Sequence, residues 1–76
     1  MNNKRRQAIG KIKSQLEDLF NKLEEIAGDE RDAFDVMHGG LQESERGQKS
    51  EEAAGLLENA ACDLQSVIDS LEEATS

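Results

Sequence analysis

Between residues 9 and 26 the apolar side chains fall at Ile9, Ile12, Leu16, Leu19, Leu23 and Ile26, separated by alternating gaps of three and four. This is the a/d spacing of a helix that buries one stripe against another helix. With Ile9 at position a of the heptad, Leu16 and Leu23 follow at a, and Ile12, Leu19 and Ile26 stand at d. A second stretch repeats the pattern: Ala53, Leu57, Ala60, Leu64, Val67, Leu71 and Ala74, with Leu57 at a. Two amphipathic helices in 76 residues predict an all-α hairpin, residues 1–76 forming a single domain.

The predicted first helix covers residues 4–37, with Asn2 or Asn3 as its cap. Its e positions are Lys13, Phe20, Ala27 and Phe34, so from Phe20 onward the apolar stripe is wider than a two-stranded seam. The pattern weakens after Ile26, where a becomes Glu30 and d becomes Ala33, and Gly28 marks this zone as a candidate bend. Two consecutive glycines, Gly39 and Gly40, end the helix, since glycine accepts positive φ at a C-cap. His38 reads as a capping residue near the last carbonyls. The linker is placed at residues 38–43 and the second helix at residues 44–74. Ser44 and Ser50 both qualify as its N-cap, and Gly47 predicts a weak first turn.

In the second helix the e positions Ala54, Ala61 and Ile68 again widen the stripe. Its alanines allow a close approach, with the larger Leu, Ile and Phe of the first helix filling the space opposite. Near-equal helix lengths, ~45–50 Å at 1.5 Å per residue, and a short connection imply an antiparallel hairpin. Two helices burying only a/d would leave Phe20, Phe34 and Ile68 as an apolar stripe for an oligomer or a partner. The expectation is a coiled-coil-like hairpin that dimerises into a four-helix bundle. Self-association also suits a short chain with no disulfide pair to staple it.

Five of the nine basic residues, Lys4, Arg5, Arg6, Lys11 and Lys13, precede Ser14, whereas all acidic residues follow it. An antiparallel hairpin lays that basic end beside Asp69, Glu72 and Glu73. The net charge of −8 disfavours binding to nucleic acid or anionic lipid and favours a basic protein partner. No apolar run approaches the ~20 residues of a membrane span, and no apolar core follows the basic start as a secretory signal requires. Cys62 is the only cysteine, which suits a reducing cytoplasm. It stands at f, away from the stripe.

No catalytic, cofactor or metal motif is legible. Asp29, Glu30, Asp32 and Asp35 lack the glycine and glutamate spacing of a calcium loop. His38 has no second ligand at a workable distance in sequence, and Cys62 has no evident base to activate it. An enzyme is therefore disfavoured.

The stretch Leu41-Gln42-Glu43-Ser44-Glu45-Arg46-Gly47, preceded by Ala33-Phe34-Asp35, resembles a group of small acidic helical proteins of phages and prophages that share an LQESERG-type linker. That group has proline in the linker, where this chain has Gly39 and Gly40. The resemblance implies a mobile-element origin and a cytoplasmic setting in a bacterial host, and no particular activity. It also suggests an inhibitor of a host defence complex that handles nucleic acid. Its acidic face would comprise Glu17, Asp18, Glu24, Glu25, Asp29, Asp32 and Asp35 with Glu51, Glu52 and Glu58, acting as a DNA mimic in a basic groove. The alternative is a structural, homo-oligomeric assembly protein. In the linker, Leu41 is expected to tuck under the hairpin tip, Ser44 to cap the second helix, and Arg46 to pair with Asp35 or Glu43.

Overall fold

Helix α1 begins at the first residue that can cap it. Asn2 is extended (φ −78°, ψ 163°), and its side-chain oxygen accepts a hydrogen bond from the Arg5 backbone N–H at 2.9 Å. This satisfies one of the unpaired donors of the first turn. The computed structural model describes residues 1–76 as two antiparallel α-helices joined by a tight connection: α1 Asn3–Asp35, a 3₁₀ turn Gly39–Leu41, and α2 Glu45–Thr75. There is no strand. The rod they form measures 58 × 14 × 14 Å.

α1 runs unbroken through Gly28. The helix does not break at this candidate site: with no proline in the chain, one glycine lowers stability without ending the helix. α1 stops at Asp35, two residues before the expected end. The Val36 N–H bonds to the Asp32 carbonyl and the Met37 N–H to the Phe34 carbonyl, both at 3.1 Å. His38 makes no side-chain capping bond. Gln42 takes that role instead: its Nε2 donates to the Phe34 carbonyl at 3.1 Å and the Asp35 carbonyl at 3.5 Å. A side-chain amide thus reaches back across the turn to the last carbonyls of α1, giving Phe34 a second donor beside the Met37 N–H.

The rest of the LQESERG stretch locks the start of α2. Ser44 is extended (φ −71°, ψ 167°), and its Oγ accepts from the Gly47 N–H at 3.2 Å. The same hydroxyl donates to the Leu41 carbonyl. Ser50 is not the cap. It lies inside α2, where its hydroxyl donates to a Glu30 carboxylate oxygen at 2.8 Å across the hairpin. Gly47 is buried, and a Cβ there would collide with the carbonyl groups of Leu41 and Gln42. Gly39, at φ +58°, turns the chain in the left-handed region. Leu41 is 41% exposed rather than tucked away, because its backbone is committed to the turn. Arg46 forms no ion pair with Asp35 or Glu43; the pair at this end is Lys49 with Glu45, one turn apart on α2. Removing the Ser44 cap with Ser44→Ala is expected to cost about 1 kcal/mol, read as a lower urea midpoint at constant slope.

Burial shows which stripe forms the seam. Apart from Arg31, at b, the shielded positions on α1 are Ile9, Lys13, Leu16, Phe20, Leu23, Ala27, Glu30 and Phe34, with Met37 just beyond its end; on α2 they include Ala54, Leu57, Ala61, Leu64, Ile68 and Leu71. These are positions a and e, not a and d. Both choices alternate steps of three and four, so spacing alone does not separate them. Burying e brings both phenyl rings and Ile68 out of water, and aromatic side chains carry the largest burial gain. Burying d would have covered Ile12, Leu19 and Ile26 on α1 but mainly alanines, Ala53, Ala60 and Ala74, on α2, and would have left both phenyl rings outside the seam. Phe20, Phe34 and Ile68 therefore line the hairpin's own seam, with Ile68 only 4% exposed. Ile68 is closed off from a partner, whereas Phe20 and Phe34 are half-buried and keep an accessible edge. Ala54, at 0%, and Ala61, at 5%, are the small residues that let the helices close.

Candidate protein-binding faces

The a/e seam fixes what the remaining positions present. At 100° per residue, b and d lie on opposite flanks of such a seam. In an antiparallel pair the b positions of both helices share one side and the d positions share the other. The hairpin thus has two unlike faces.

The b face is acidic. α1 contributes Glu17 and Glu24, α2 contributes Glu51, Glu58 and Glu72, and all five are exposed. The c positions beside them add Asp18, Glu25, Asp32 and Glu52, also exposed, and Asp35 stands at f. The structure therefore brings together nine of the ten sequence-predicted contact acids on the b side and the outer flanks. Asp29 is the exception, since its g position puts it on the rim of the opposite face.

Cross-helix ion pairs stud this acidic side. An Arg31 guanidinium nitrogen donates to Glu58 Oε1 at 2.7 Å, and Lys13 Nζ lies 3.8 Å from Glu72 Oε1. The second pair realises, in one contact, the expected meeting of the basic start with the acidic end of the chain. The Arg31 pKa is raised, first by its hydrogen bond to Glu58, against some desolvation, and then by the charges of Glu58, Asp35 and Glu51. Both partners reach solvent, which screens the pair, so Arg31→Ala is expected to leave the melting temperature nearly unchanged; thermal melts at low and high salt check this. Glu58 is thus partly neutralised, and it contributes less free charge than Glu17, Glu24 or Glu51.

Between these carboxylates lies a shallow groove of about 380 Å³. Phe20, Ala27 and Ala61 give it an apolar floor, and Glu24 and Glu58 edge it with charge. An apolar floor under a carboxylate rim matches the aliphatic stem and charged head of a lysine or arginine. Cys62 borders the same groove with a free, exposed thiol.

The d face is apolar. Ile12 is 50% exposed, Leu19 53%, Ile26 55% and Val67 48%, and Leu56 at the neighbouring g position is exposed as well. Among the helical acids only Asp29 and Asp63 stand at d or g, and four bases, Arg5, Lys22, Arg46 and Lys49, share those positions, Arg5 at one end of the face and Arg46 and Lys49 at the other. Sequence reading placed Ile12, Leu19, Ile26 and Val67 in the core, because a stripe three positions wide does not say which two positions a two-helix hairpin can cover.

No cluster of three or more His, Cys, Asp or Glu side chains is arranged to hold a metal ion. No helix is long and apolar enough to cross a membrane. Comparison with protein-family models, with curated proteins and with solved structures gives no match.

Proposed function

We propose that this chain is a non-enzymatic protein-binding module whose carboxylate side occupies a basic groove on a partner. The observation that carries this reading is the segregation of charge: b and c positions of both helices put their acids on one side and its flanks, while the d positions hold no acid and only Asp29 and Asp63 stand beside them at g. Before the offset from basic residues, 17 acidic side chains along 58 Å amount to roughly one per 3.4 Å, the axial charge spacing of one DNA strand. A rod of this kind suits a groove built for nucleic acid, and association would be fast and weakened by salt. With the LQESERG resemblance, this supports a phage-encoded, cytoplasmic inhibitor of a host defence complex that handles nucleic acid.

A second reading is favoured by a different observation, the exposed d stripe: a homo-oligomeric assembly protein of a phage or prophage, in which hairpins pair into a four-helix bundle. The two readings are compatible in one molecule, because they use opposite faces.

The test is capture from a nuclease-treated bacterial lysate by the tagged chain. The inhibitor reading expects one stoichiometric nucleic-acid-handling protein, displaced by duplex DNA or by high salt. It also expects the combined variant Glu17→Lys, Glu24→Lys, Glu51→Lys to lose that protein while its helical circular dichroism persists. A partner still held by the charge-reversed variant contradicts the acidic-face reading. Recovery of the chain alone favours assembly.

A further inference from the structure

We infer that the d face is a self-association surface, on which a second copy of this chain docks with α1 of each copy over α2 of the other and the two hairpin tips at the same end. This rests on the second reading above and gives it a surface and an arrangement.

Area argues for an occupant of this size. A folded monomer of 8.4 kDa is expected to expose roughly 4,600 Å², whereas this hairpin exposes 5642 Å². The excess, roughly 1,000 Å², compares with the ~800 Å² each partner buries in a standard interface. No large side chain is fully buried within one hairpin, so a second layer also supplies the core that a single layer lacks.

Charge argues for a second copy on this face in particular. Two chains of −8 repel, and their b sides cannot meet. The d face is the long surface with few acids: its d positions hold none, and Asp29 and Asp63 at g stand among Arg5, Lys22, Arg46 and Lys49. Shape and register supply the arrangement. The Arg31–Glu58 and Lys13–Glu72 pairs, with the residues that share the two grooves on the b side, set Leu19 level with Val67, Ile26 with Ala60 and Ile12 with Ala74. Each large α1 residue is thus level with a smaller α2 residue. Stacking α1 over the partner's α2, tips together, seats Ile12, Leu19 and Ile26 on smaller side chains, and the Ala33–Ala53 layer nearest the tip is small on both sides. The same stacking puts Lys22 level with the partner's Asp63, and the two-fold symmetry repeats that pair. Stacking α1 over the partner's α1 would oppose Ile with Ile and leave Lys22 without an acid.

The experiment is mass by sedimentation equilibrium together with disulfide capture, on the full chain. The wild type is expected at twice the monomer mass, with dimerisation strengthened by added salt as the −8 charges are screened. Leu19→Asp is expected to sediment as a monomer. A second arm, independent of that variant's folding, mixes Cys62→Ser/Leu19→Cys chains with Cys62→Ser/Val67→Cys chains under mild oxidation. A disulfide between the two kinds of chain is expected in the mixture, and little dimer from the Leu19→Cys chains alone. A monomer mass at all concentrations overturns self-association and the surface together. A dimer unaffected by Leu19→Asp leaves self-association standing and overturns the d face. Efficient disulfide formation by the Leu19→Cys chains alone overturns the tips-together arrangement.

Discussion

Ile68→Ala is expected to destabilise the hairpin by about 2–5 kcal/mol, the usual cost of emptying a buried isoleucine site. Ile68 is the one large side chain in the structure shielded to 4% exposure. Small domains hold only about 5–15 kcal/mol in total, so the variant should be substantially unfolded at moderate temperature. Its neighbour Val67, 48% exposed, is a control of similar chemistry. In dilute protein Val67→Ala should cost no more than about 1 kcal/mol. Urea denaturation followed by circular dichroism separates the two. Equal losses at both positions would mean that the seam does not run through e.

Gly47→Ala is expected to destabilise by about 1–3 kcal/mol, the range for forcing extra atoms into a packed site. The direction is informative, because alanine is the better helix former by about 1 kcal/mol and Gly47 lies in the first turn of α2. The obstacle is backbone: the Leu41 and Gln42 carbonyl groups sit where the new methyl must go, and no side-chain rotation relieves them. Relief requires moving the tip, which loosens the Gln42 bonds to the end of α1 and the Ser44 cap of α2. Each kcal/mol lost should lower the melting temperature by about 4–8 °C for a chain of this length. Gly28→Ala makes the contrast, since nothing lies within 4 Å of a methyl there. It should raise stability by up to about 1 kcal/mol.

The hairpin, its antiparallel pairing and its near-equal helices were legible because apolar steps of three and four persist over both halves and the double glycine stands between them. Ser44 and Asn2 were legible as caps because few side chains can satisfy an open first turn. The choice of seam was not. Ile12, Phe20 and Leu23 belong to one continuous stripe, and only packing decides which members a single neighbour can shield. The role of Gly47 was misread for a related reason. A glycine in a helix looks like a weak point until the backbone that passes over it is known. Gln42 gave no local signal, since its amide acts on carbonyls eight and seven residues back across a turn.

The acidic face was legible as composition and only partly as geometry. Acids at b and c are set by the heptad, so their gathering on one side follows once the seam is known. Asp29 was misplaced because it belongs to an acidic run in sequence but to the other face in space. The apolar d face was invisible as a surface for the same reason that Phe20 and Ile68 were taken for one.

Thiol labelling of single-cysteine chains tests the two-faced hairpin most directly. Three chains are compared over a range of protein concentrations: the wild type with Cys62, and Cys62→Ser carrying either Val67→Cys or Ile68→Cys. Ile68→Cys should be protected at every concentration and Cys62 should label quickly at every concentration. Val67→Cys should label quickly in dilute solution and slowly in concentrated solution, as a second copy covers it. Protection of Val67→Cys in dilute protein with rapid labelling of Ile68→Cys would place the seam on d and contradict the assignment of both faces.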